Sequence, residues 1–150
     1  MFETFRGLPI HILLNHAVVV GIPLVALASV AVALIPTWRA RLAWPMVVVN
    51  ALLVGATYAA RQSGLWLFKA LGNPPPALHH RSLGLTLIWF VIALFVASLL
   101  LALVSRADGG FLVGVVALIV VVAAGAATVQ TVRTGEAGSR AVWEGRVSSG

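Results

Sequence analysis

The sequence predicts an all-α integral membrane protein: a four-helix transmembrane bundle with a short interfacial helix between its second and third spans. Three observations carry that prediction. The apolar residues fall into four long blocks with no polar face, whereas a water-soluble amphipathic helix needs one. Charged residues are 9% of the 150-residue chain against 61% hydrophobic, with a mean hydropathy of +1.04, where a soluble domain carries roughly a quarter charged residues. The cations stand at the edges of the blocks, where long basic side chains reach lipid headgroups.

The first block runs from His11 to Ile35 and stops at Pro36, before Thr37-Trp38-Arg39-Ala40-Arg41. Pro9 suits a first-turn position, since its missing N–H costs nothing there. A cleaved signal peptide is the competing reading, because Ala26-Leu27-Ala28 resembles a cleavage site. The block is too long for that, has only Arg6 before it, and contains His11, Asn15 and His16. The second block, Leu42 to Ala60, opens near Trp44 and closes at Tyr58 and Arg61. Gln62 to Leu71 then reads as a short helix lying at the interface, stopped by Gly72-Asn73-Pro74-Pro75-Pro76. The third apolar run is Leu83 to Val104, its helix starting just after Pro76. The fourth runs from Phe111 to about Val132, after Asp108-Gly109-Gly110. The spans are thus about 10–35, 42–60, 78–105 and 110–132, in one domain with a short polar tail at 133–150. Each is near the roughly 20 residues that cross a hydrocarbon core as helix. Strands would need a closed barrel and alternating faces, which the blocks lack.

The pI of about 11.7 reflects flanking cations rather than a nucleic-acid surface, since no basic-aromatic patch or reader motif occurs. Cysteine is absent, which excludes disulfides, thiolate metal sites and thioether-linked heme. Four spans put both termini and the long second connection on one side. That side carries Arg6, Arg61, Lys69, Arg81, Arg133, Arg140 and Arg146, against Arg39, Arg41 and Arg106 on the other. The positive-inside rule then favours cytoplasmic termini.

Polar residues inside spans are expensive and therefore informative. Helix one holds His11, Asn15 and His16, helix two holds Asn50, and helix three opens with His79-His80-Arg81. At about 100° per residue His11 and Asn15 share a face, and His16 points roughly 140° away from His11 and about 7 Å deeper. His11 and His80 both lie about one turn inside their helices, so helices one and three can present imidazoles at similar depth. Two axial nitrogens from different helices in an apolar slot are what a b-type heme requires. His11, His16 and His80 are accordingly the candidate cofactor-binding residues and heme-iron ligands. Gly21, Gly55 and Gly84 would give room for a flat ring or for close helix contact. Interfacial histidines also cap helices or bond backbone carbonyls, the preferred reading for His79, and Asn50 suits an interhelical hydrogen bond. Gly110, Gly114, Ala117, Ala124 and Gly125 form a small-residue stripe, read as packing inside the bundle, with homodimerisation as the sharper reading. Pro23 should free the carbonyl of Val19. No span contains an acidic residue, and no nucleotide-binding or hydrolase fingerprint occurs, so the chain is expected to have no catalytic activity of its own.

Several segments resemble a family of bacterial membrane proteins, the domain of unknown function 2231. They are Gly7-Leu8-Pro9-Ile10-His11 continuing to His16, Gln62-Ser63-Gly64, His80-Arg81-Ser82-Leu83-Gly84, and Arg133-Thr134-Gly135-Glu136-Ala137-Gly138-Ser139-Arg140-Ala141-Val142-Trp143. The sequence departs from the family pattern at Glu136, where relatives often show His. The resemblance implies a multi-pass protein of the bacterial plasma membrane. Some relatives look fused to redox domains of the Rieske or cytochrome c kind, which implies electron transfer. The expected function is a heme b electron-transfer protein or a subunit of a larger membrane redox complex. The alternative is a non-catalytic accessory or scaffold subunit without cofactor. A transporter is disfavoured by the lack of an inverted repeat.

Overall fold

The computed structural model describes residues 4–5, 8–106 and 110–143. Arg6, Gly7, Asp108, Gly109 and Arg146 lie outside the described residues. A two-residue antiparallel ladder, β1 (Thr4–Phe5) with β2 (Leu8–Pro9), precedes four long helices: α1 (Ile10–Leu34), α2 (Pro36–Ala70), α3 (Leu78–Val104) and α4 (Gly110–Trp143). All four are long and apolar enough to cross a membrane. They pack as a square in chain order, so α1 and α3 are diagonal, as are α2 and α4.

Single residues set the breaks. Proline disfavours helical backbone in the residue before it, and Ile35, before Pro36, is extended at φ −99° and ψ 109°. Pro36 then opens α2 directly. The connection expected at 36–41 is therefore helix, and Arg39 Nη1 turns back to donate to the Ala33 carbonyl at 2.9 Å. The interfacial helix expected over Gln62 to Leu71 is not a separate element either. Those residues continue α2 to Ala70, because nothing between Ala60 and Ala70 breaks the hydrogen-bond ladder. The stop comes at Gly72 and Asn73, both at positive φ (75° and 58°), with the Asn73 amide donating to the Phe68 carbonyl at 3.0 Å in a Schellman-type cap. Pro75–Ala77 makes a single 3-10 turn joined to α3. The polar segment from Arg133 likewise extends α4 to Trp143.

The bundle is apolar outside as well as inside. Trp89, Leu52, Leu27 and Leu118 are all more than 60% exposed, the arrangement expected when lipid, not water, covers the outer face. Trp38 and Tyr58, exposed on α2 and twenty residues apart, stand about 30 Å apart along the helix, the thickness of a hydrocarbon core. Inside, Ile22, Val91, Leu94, Val120 and Ala127 are closed to solvent. The small-residue stripe divides: Ala117 and Ala124 are buried, whereas Gly110, Gly114 and Gly125 face outward, with open space where a Cβ would stand.

Candidate functional site

At the end of the bundle where α1 and α3 begin, His11 and His80 meet across the diagonal. Their ring centroids are 6.3 Å apart with the planes inclined at 67°. Diagonal helices in a square bundle normally have side chains from the other two between them. Here α2 and α4 bring glycine. A Cβ on Gly64 would stand 2.8 Å from Cε1 of His11, and one on Gly138 would stand 2.9 Å from Nδ1 of His80. The two imidazoles reach towards each other because the flanking helices have no side chain at those points.

The same device is used twice. Nδ1 of His11 lies 3.1 Å from the Ala60 carbonyl and 3.2 Å from Ser63 Oγ, and Ser63 itself donates to the Ala60 carbonyl at 2.9 Å. Nδ1 of His80 lies 2.8 Å from the Thr134 carbonyl. A carbonyl accepts, so in each case Nδ1 carries a proton, and in the neutral ring the lone pair is on Nε2. In both halves the accepting carbonyl belongs to the residue four before the cradling glycine: Ala60 with Gly64, and Thr134 with Gly138. The pairs α1–α2 and α3–α4 thus repeat one histidine–carbonyl–glycine arrangement in the same orientation, around an axis along the bundle. Behind it, Gln130 ties α4 to α3 by donating to Thr86 Oγ1 at 3.0 Å and to the Leu83 carbonyl at 3.3 Å.

His16 is not brought to this site. It is exposed on the outer side of α1, with Nδ1 on the Ile12 carbonyl of its own helix at 2.6 Å. His79 is exposed, and Glu136 is exposed in an ion pair with Arg140 at 2.8 Å. Added Cβ atoms on Gly55 and Gly84 would meet nothing within 4 Å, and one on Gly21 would only touch Leu53 at 3.6 Å, so none of these three cradles a ring. Gly64 and Gly138 do. Their role could not be read from spacing, because it depends on which helix faces which histidine.

A second buried polar cluster lies far along the bundle. Asn50 is fully buried on α2, and its Nδ2 reaches Ser29 Oγ on α1 (3.1 Å), Ser98 Oγ on α3 (3.3 Å) and the Met46 carbonyl (2.9 Å). Ser29 is eighteen residues beyond His11, about 27 Å along α1. Between them lie Val18, Ile22, Leu87, Val91 and Ala127, packed together as one apolar cluster. The paired histidines and Asn50 are therefore separated by this apolar cluster, beside which the buried Thr57 and Thr131 hydroxyls donate to the Leu53 and Ala127 carbonyls of their own helices.

Fold and site together define a small four-helix membrane protein with a paired-imidazole site at one rim. The chain belongs to the family described as Predicted membrane protein (DUF2231), which matches residues 7–150. No curated protein and no solved structure matches it.

Proposed function

We propose that the chain is a b-type heme-binding electron-transfer protein, or the heme-bearing subunit of a membrane redox complex, with His11 and His80 as the axial ligands. The observation that carries this reading is the pairing of two imidazoles whose Nδ1 atoms are both committed to carbonyls. Histidines that ligate metals are held in this way, the outer hydrogen bond fixing the tautomer and raising the basicity of the free nitrogen. The separation fits as well. His11 and His80 would hold the iron between them, and their 6.3 Å centroid separation is of the size that one ion bound by both rings would need. Among the described residues, no group of three or more His, Cys, Asp or Glu could hold a metal ion. A donor set of two imidazoles suits an iron whose other ligands come from a macrocycle better than a bare ion that draws three or four ligands from protein.

Bound there, heme supplies a one-electron couple. The chain's own residues would hold the ligands: the Ala60 and Thr134 carbonyls orient the rings, and Gly64 and Gly138 admit them. The test is a reduced-minus-oxidised spectrum of the protein purified in detergent after expression with heme supplied. Paired α and Soret bands support the reading, and a flat visible region removes it.

The competing reading, an accessory subunit without cofactor, draws on the small size of the chain, the absence of acidic residues from its spans and the small-residue stripe of α4. It predicts that His11→Ala with His80→Ala leaves complex assembly intact and that no absorbance is lost.

A further inference from the structure

We infer that Arg61 anchors an oxyanion-binding site beside the paired histidines, taking a carboxylate or phosphate group at the membrane rim. Arg61 belongs to the stretch of α2 that holds His11, next to Ala60 and within one turn of Ser63 and Gly64. Its Nε is buried and has no hydrogen-bond partner. Arg61 as a whole is half-buried, so the cost falls on that one closed-off N–H, and guanidinium answers best to a planar or tetrahedral oxyanion. The described part of the chain does not supply one: Glu136 is its one carboxylate side chain, and it is exposed and held by Arg140. A second cation lies at the same seam. Phe68 is seven residues beyond Arg61 on the same side of α2, and the Arg81 guanidinium of α3 sits 5.2 Å from its ring centroid.

Two sources offer the right chemistry at this level, the propionates of a bound heme and the phosphates of anionic lipid. The first rests on the heme reading above, and the second stands without it. One arm of the experiment compares binding of hemin and of its dimethyl ester, in which both carboxylates are blocked, to the purified protein. The other compares retention of phosphatidylglycerol and phosphatidylcholine by the protein extracted from mixed nanodiscs. The wild type is expected to prefer the free acid over the ester, or the anionic over the zwitterionic lipid, by about tenfold or more. Arg61→Gln abolishes that preference, and Arg61→Lys, which keeps the charge but loses the fork, retains part of it. The arm that responds identifies the source. If neither porphyrin binds, the heme reading fails and the lipid arm alone decides this inference. Absence of both preferences in the wild type overturns it without any variant needing to fold, as does a preference unchanged in Arg61→Gln.

Discussion

A methyl group added to Gly138 would stand 2.9 Å from Nδ1 of His80, the atom that bonds the Thr134 carbonyl at 2.8 Å. Glycine there is a condition for that hydrogen bond rather than a helix filler. Gly138→Ala should therefore push the imidazole out of place and abolish the visible spectrum of the heme-loaded protein, at a stability cost of about 1–3 kcal/mol from overpacking. Gly64→Ala should do the same through His11. Gly114→Ala and Gly125→Ala face open space and should instead leave the spectrum unchanged and stabilise by up to about 1 kcal/mol through helix propensity. Absorbance and thermal unfolding in detergent on the four variants read both effects. Equal behaviour of the two sets would mean that the cradle has no role.

The three histidines separate cleanly. His11→Ala and His80→Ala should each remove the axial pair and with it the low-spin spectrum, whereas His16→Ala should leave band positions and intensity unchanged. His16 bonds only the Ile12 carbonyl on the exposed face. A spectrum lost in His16→Ala but kept in His11→Ala would reverse the ligand assignment.

Asn50 should matter for stability and not for the site. It joins α1, α2 and α3 through Ser29 and Ser98, yet its Oδ1 is buried without a partner. Interhelical hydrogen bonds in membranes average about 0.6 kcal/mol and reach about 1.7 kcal/mol, and the orphaned oxygen offsets part of this gain. Asn50→Ala is expected to destabilise within that range in reversible unfolding from mixed micelles. Combined with Ser98→Ala it should cost less than the sum of the two, because they share one network. Strict additivity would show that the contact carries no energy.

The spans were legible because hydrophobic blocks of about 20 residues have one solution in a bilayer. The common depth of His11 and His80 followed from helix starts set by Pro9 and Pro76. Three things were not legible. Leu42 opens an apolar run, but α2 begins six residues earlier, because a proline can both end one helix and start the next. His16 differs from His11 in depth and in azimuth, and which azimuth faces the axis depends on how four helices are arranged. The cradle of Gly64 and Gly138 is visible only once the diagonal pairing is known, since glycine at those points means nothing until a ring arrives from another helix.

The unbroken course of α2 past the membrane edge is itself testable. A separate interfacial helix over 62–71 would accept proline at Gln62, its first position, where the missing N–H is harmless. In the continuous helix, Gln62→Pro removes a hydrogen bond to the Tyr58 carbonyl and collides with it, at a cost of about 3 kcal/mol. The kink would fall between Tyr58 and Gln62, immediately below Ser63 and Gly64. Stability should drop by that amount and the site should be lost with it, since His11 depends on Ala60, Ser63 and Gly64 being in register. Proline at Ala77, in the short 3-10 turn before α3, should cost less, because it removes only the turn bond from the Ala77 amide to the Pro74 carbonyl and no α-helical ladder runs through that point. Unfolding midpoints for Gln62→Pro and Ala77→Pro, measured side by side, decide the matter: similar values would mean that the chain bends after Ala60 and that α2 ends at the membrane surface.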